Sequence, residues 1–237
     1  GCSAATVKTY KEGVKYAVQA LTRGAPWAGL YIDAAHGGWM GYEPNAKAFV
    51  DLMASMDVLP LIRGFSINVA NYQSLGIDSL CPADAFAETG LSVYGTSGGL
   101  AEWCKKTGQG SRCCTTDPCG VLKEGSGGPT ELSYAQSLQR HFIAATGWAP
   151  RFVIDTGRNG ARADPRRTCE SWCNARGAGA GHVATLNTHL PGVVDAYFWL
   201  KTPGESDGCT ELLADGRRCP RFDEDCADGD SIGSRAG

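Results

Sequence analysis

Tyr31-Ile-Asp-Ala-Ala-His-Gly-Gly-Trp-Met-Gly-Tyr42 begins as an apolar strand and breaks at Asp33 into polar, glycine-rich sequence. Three further segments repeat the pattern. Arg63-Gly-Phe-Ser-Ile-Asn68 ends in Asn, with Asn71 and Tyr72 close behind. Arg151-Phe-Val-Ile-Asp155 ends in Asp and runs into Thr-Gly-Arg158-Asn-Gly. Asp195-Ala-Tyr-Phe-Trp-Leu-Lys201 ends in Lys and continues as Thr-Pro-Gly-Glu205-Ser-Asp207-Gly208. Short apolar runs bounded by turn signals suit strands buried on both faces. A single strand-end Asp most often caps a turn or helix, and a single Trp is most often core. Four recurrences of one pattern shift the reading toward a shared functional edge.

Helical patterns lie around these runs. Val7, Tyr10, Val14, Val18 and Leu21 fall at three- and four-residue spacing ahead of the first strand. Residues 45–57 follow it, with Pro44 and Asn45 as a helix entry. Residues 131–146 form a third helix, which Gly147 can cap and Pro150 prevents from continuing. Alternating helices and buried strands predict an α/β protein with a parallel sheet or barrel. Such folds place active sites at the carboxyl ends of their strands. There the sequence sets Asp33, His36, Trp39, Lys201, Glu205 and Asp207. Acids move protons, polar groups hold hydroxyls and indoles stack on pyranose faces, so this set suits a sugar-cleaving cleft.

At 237 residues the chain can form one sizeable domain. With 22 basic and 25 acidic residues and no basic stripe, nucleic acid and anionic membranes are poor partners. No apolar run approaches transmembrane length. Eleven cysteines point to disulfides and a secretory setting, and the odd count leaves at least one without an intramolecular partner. A zinc cluster is the rival reading, but paired C-x-x-C spacing is absent and the four His are scattered, so no metal or other cofactor is expected. Residues 95–130, rich in Gly, Ser, Thr and Cys, read as a long loop insertion that its cysteines would staple. Ala175-Arg-Gly-Ala-Gly-Ala-Gly181 misses the G-x-G-x-x-G register and reads as a loop.

Five segments in order carry a family resemblance: Tyr31–Trp39, Gly64-Phe-Ser-Ile-Asn-Val-Ala-Asn-Tyr72, Asp155-Thr-Gly-Arg-Asn-Gly160, Trp172-Cys-Asn174 and Trp199–Gly208. In these the chain resembles glycoside hydrolase family six, the cellobiohydrolases and endoglucanases that invert at β-1,4-glucan linkages. The resemblance implies a distorted β/α barrel of about seven parallel strands in the full domain, incomplete in this chain, with residues 1–237 forming part of a catalytic domain. It implies that Asp207 is the carboxylate assigned as catalytic base, with Lys201 and Glu205 binding sugar hydroxyls beside it. His36, Trp39 and Asn71 would line subsites near the scissile bond, and Trp172 would be a stacking platform. Asp33 and Arg158 would belong to the charged network at the centre, and Cys173 would bond Cys226. The substrate implied is cellulose or a cello-oligosaccharide, acted on by a secreted monomer.

The chain also departs from the family. The family's proton-donating Asp lies on a strand ahead of residue 1, so the chain alone is expected not to hydrolyse glucan. Tyr42 stands where cellobiohydrolases commonly have Trp. The segment from Cys209 to Asp230 is long, and Pro220-Arg-Phe-Asp-Glu-Asp-Cys226 resembles the loop that roofs a cellobiohydrolase site. Exo action is therefore expected over endo action. The alternatives are an endo-β-1,4-glucanase of the same family and a non-catalytic carbohydrate-binding protein on this scaffold.

Overall fold

The computed structural model describes residues 3–76, 130–161 and 172–227. The expected insertion at 95–130, apart from Thr130, lies outside the described residues, as do Cys2, Cys104, Cys113, Cys114, Cys119 and Cys169.

Four strands, β1 (Tyr31–Asp33), β2 (Gly64–Ile67), β3 (Arg151–Asp155) and β4 (Val194–Phe198), pair in the order β1-β2-β3-β4. Every pairing is parallel. Sequential parallel neighbours are the order of a β/α barrel wall, whereas a doubly wound sheet reverses its order at a switch point. The register leaves no room for a side chain at Gly64: a Cβ there would lie 1.7 Å from the carbonyl oxygen of Arg151.

The helices form where local chemistry starts and stops them. In α1 (Ala4–Gly24) the Ser3 side chain accepts the Thr6 N–H. Of the stripe read from the sequence, Val18 is buried and Val14 partly so, while Val7, Tyr10 and Leu21 are exposed. A four-residue turn, α2 (Gly37–Met40), then precedes α3 (Glu43–Ala54), whose first turn holds Pro44. The fourth helix, α4 (Glu131–Thr146), opens with a capping box between Thr130 and Ser133 and closes at Gly147 with φ of 73°. That left-handed conformation favours glycine and ends the helix.

α3 and α4 pack together on the sheet. Phe65 of β2 stacks on Phe142 of α4 at 5.0 Å, and Phe49 of α3 meets Phe65 edge-on at 5.2 Å. Val50, Met53, Leu138, Phe152, Ile154 and Tyr197 complete the buried core. Burial of apolar side chains of this size contributes roughly 1.5–3 kcal/mol each.

The strand starts share one ionic cluster. Asp195 of β4 accepts from Arg63 Nε at 2.9 Å and Nη2 at 3.0 Å, from Arg151 Nε at 2.9 Å and from the Tyr31 hydroxyl at 2.7 Å. Burial works against its charge, but these donors outweigh it and bring its pKa down to about 2. The strand ends are different: the chain turns sharply there, with left-handed φ at Ala35 (54°), Asn68 (61°) and Ala70 (56°). The sequence reading extended β4 to Lys201, whereas the strand stops at Phe198. The Lys201 N–H bonds to Asp155 Oδ2 in place of a ladder partner, which takes Lys201 out of the sheet.

Candidate active site

The charged centre is built from the loops after β2, β3 and β4. The side chain of Asp207, only 7% exposed, lies between two cations. Arg158 Nη1 is 2.5 Å from Oδ2 and Lys201 Nζ is 3.3 Å from Oδ1. Asn174 adds a backbone N–H to Oδ2 at 2.9 Å, and the Tyr72 hydroxyl reaches the same oxygen at 3.3 Å. Burial raises the pKa of Asp207, but the Asn174 N–H and the charges of Arg158 and Lys201 outweigh it. The net shift is downward, so the group is ionised at neutral pH and is a weak proton acceptor.

Each partner is itself held. The Arg158 guanidinium lies 4.3 Å above the Tyr72 ring, and its Nε and Nη2 both donate to the Ala70 carbonyl. Lys201 Nζ also pairs with Glu205 at 3.2 Å. Asn174 clasps the Asp207 backbone in return, since its Oδ1 accepts the Asp207 N–H at 2.8 Å. Its left-handed φ of 44° is one that Asn tolerates better than most residues.

Trp172 is 40% exposed and has two anchors. Its indole N–H donates to Asp225 at 2.9 Å, and its carbonyl accepts the Tyr72 hydroxyl at 3.2 Å. Next to it, Cys173 is bonded to Cys226 with Cα atoms 5.0 Å apart. A second disulfide joins Cys209 and Cys219. The first ties the chain beyond Asp207 to the Trp172 segment, and the second closes a short loop within that chain.

At the other margin of the sheet, α2 presents Trp39, 64% exposed. His36, the residue before α2, makes no side-chain cap; the Gly37 and Gly38 N–H groups are taken instead by Glu131 Oε1 at 3.1 Å and Gln73 Oε1 at 2.7 Å. Asn71 follows β2 and is buried, and its Nδ2 has no hydrogen-bond partner among the described residues. Asp33 does not join the Arg158–Lys201–Asp207 cluster. Its one side-chain hydrogen bond among the described residues accepts the Ala35 N–H at 2.9 Å, and burial raises its pKa against that N–H.

The structure thus gathers Arg158, Lys201, Asn174 and Tyr72 around the Asp207 carboxylate, with Glu205 paired to Lys201 and the Trp172 carbonyl on Tyr72. It sets His36 and Trp39 beyond β1, with Asn71 from the middle of the sheet. Sequence reasoning gave no role to Tyr72, Asn174 or Asp155, which hold these groups in place. The nearest signal was the position of Tyr72 and Asn174 inside segments already singled out. Among the described residues no group of three or more His, Cys, Asp or Glu is placed to hold a metal ion.

A parallel α/β wall with a charged and aromatic carboxyl edge defines a barrel-type enzyme face. The sequence model of Glycosyl hydrolases family 6 matches residues 1–94 and 111–237, and the chain belongs to that family. It is 29% identical over 235 residues to a probable 1,4-β-D-glucan cellobiohydrolase C of Aspergillus clavatus, covering 98% of this chain and 40% of the relative. It is 30% identical to exoglucanase 3 of Agaricus bisporus over 222 residues, 92% of this chain and 40% of that one. Among solved structures, a glycoside hydrolase family 6 enzyme from Coprinopsis cinerea superposes with a TM-score of 0.66 at 27% identity, covering 98% of this chain and 52% of the other. Cellobiohydrolase II of Humicola insolens, in complex with glucose and cellotetraose, gives 0.65 at 25% identity over 99% and 52%. The chain therefore spans about 40% of the length of these curated relatives and about half of the solved chains.

Proposed function

We propose that the protein containing this chain hydrolyses β-1,4-glucosidic bonds in cellulose or cello-oligosaccharides with inversion, releasing short products from a chain end. The observation that carries this reading is the ionised Asp207 held between Arg158 and Lys201, with the Tyr72 hydroxyl in reach of both its Oδ2 and the backbone carbonyl of the exposed Trp172. An inverting mechanism needs a carboxylate on the water side of the sugar and a proton donor roughly 6.5–9.5 Å away on the other. Asp207 supplies the first of these. Its lowered pKa makes it a poor direct base, so it acts by orienting water and by stabilising positive charge at the anomeric carbon. Lys201 and Glu205 take sugar hydroxyls, Asn71 Nδ2 offers a donor, and Trp39 and Trp172 give flat faces for glucose rings. Asp33 and His36 line the cleft at its β1 side.

Two disulfides and relatives of fungal cellulase type support secretion. No described helix is long and apolar enough to cross a membrane. The reading is that of a secreted monomer whose partner is carbohydrate. The test is hydrolysis of cellotetraose by the full-length protein, followed by NMR of the first products. Cellobiose appearing initially as the α-anomer is the expected result. Release of β-anomer, or no hydrolysis by the full-length protein, would sink the proposal, and the second outcome with cellotetraose still bound would favour a binding protein.

A further inference from the structure

Asp155 is the last residue of β3 and is 1% exposed. Both of its carboxyl oxygens are taken by backbone N–H groups. Oδ1 accepts from Gly157 at 2.8 Å, while Oδ2 accepts from Ala70 at 3.0 Å and from Lys201 at 2.9 Å. Among the described residues no Lys, Arg or His side chain pairs with it.

The Gly157 contact is an ordinary turn made by Asp with its own loop. The other two are not, since they reach 85 residues back and 46 residues forward. They fasten the loops after β2 and β4 to the end of β3. Ala70 is then held at both backbone groups: its N–H by Asp155 and its carbonyl by Arg158. This holds it in a left-handed conformation that a non-glycine residue adopts only at a cost. Lys201 is gripped similarly. Its N–H is on Asp155, and its carbonyl lies so close to Gly157 that a Cβ there would approach to 2.2 Å. Ala70 places Arg158, and the Lys201 backbone places its own ammonium. These are the two cations on Asp207.

We propose that Asp155 is a positioning residue for the hydrolytic site: by pinning the loops after β2 and β4 to β3, it sets where Arg158 and Lys201 present their charge to Asp207. It does so without touching substrate. The inference rests on the reading of Asp207 given above.

The test uses Asp155→Asn and Asp155→Ala in the full-length protein. Asn keeps the size but turns one acceptor into a donor facing N–H groups, so it must give up either Gly157 or the Ala70–Lys201 pair. Turnover of cellotetraose should fall about tenfold in Asp155→Asn and about a hundredfold in Asp155→Ala, with KM changed less than about threefold. The carboxyl carbon of Asp207, followed by 13C NMR, should titrate at higher pH in both. A lowered Tm with turnover and the Asp207 titration unchanged would mean a structural role only and would overturn the proposal. So would failure of both variants to fold, because pinning loops differs from holding the sheet together. Asp207→Ala separates the two readings. If it stays active, the hydrolytic role of Asp207 fails, whereas its titration in the Asp155 variants still reports on positioning.

Discussion

Glu131 Oε1 accepts the backbone N–H of Gly37 at 3.1 Å, so a carboxyl with no exposed surface lies under the turn that carries Trp39. Its other oxygen has no hydrogen-bond partner among the described residues. Burial pushes its pKa up to about 8; the Gly37 N–H opposes the rise and the charge of Asp33 adds to it.

In the unfolded chain Glu131 titrates near 4.5. Between about 4.5 and about 8 the folded protein keeps a proton that the unfolded chain releases, so stability falls as pH rises through that window. Glu131→Gln removes the titration and keeps an acceptor for Gly37. Its thermal unfolding midpoint should vary less across this range than that of the wild type and should exceed it at the alkaline end. Equal declines in both proteins would clear Glu131.

Asp195 gives the opposite sign. Its lowered pKa contributes stability above its ordinary value of 3.8, and that contribution is lost as pH falls through about 2. Asp195→Asn should cost on the order of 2 kcal/mol at neutral pH, the range for hydrogen bonds to charged groups. The difference from wild type should shrink in acid, as read by urea unfolding at several pH values. Hydrolytic activity should persist in the folded variant.

Arg158→Lys tests the geometry around Asp207. A lysine cannot span the Ala70 carbonyl and Asp207 together while covering the Tyr72 ring. Turnover should fall about tenfold to a hundredfold, and the acid limb of the pH–rate profile should move to higher pH. A wild-type profile would show that charge alone is enough there.

Removing the Cys173–Cys226 bond in a double Ala variant opens a loop of 53 residues. The chain-entropy estimate for that length is about 4 kcal/mol. Cello-oligosaccharide binding should weaken along with stability, because Trp172 adjoins Cys173 and its indole bonds Asp225, the neighbour of Cys226. Titration calorimetry checks the binding and thermal melts check the stability. Loss of stability with unchanged affinity would detach the disulfide from the sugar platform.

Much of this architecture was legible because its signals are local. Strand ends show as polar residues closing apolar runs, at Asp33, Asn68 and Asp155. The end of α4 shows as Gly147. What escaped depends on contacts remote in sequence. Trp199–Lys201 looked like more strand because the apolar run continues, and only the bond from Lys201 to Asp155 explains the exit. Glu131 reads as a helix-start residue, and its complete burial follows from packing beneath α2. Tyr72 links Trp172, 100 residues away, to Asp207, 135 away, and no spacing rule reports that. The α1 stripe predicted more burial than Val14 and Val18 receive, since periodicity shows a helix face and not what covers it.

Parallel strands put the Asp195 cluster and Asp207 at opposite rims. The four residues of β2 set these rims about 10 Å apart, at about 3.3 Å per step. The charges that directly contact Asp207, those of Arg158 and Lys201, come from its own rim and not from the residues that anchor the strand starts. An engineer seeking heat resistance can rework Arg63 and its surroundings, while selection for new substrates acts on the other edge. The two searches need not interfere.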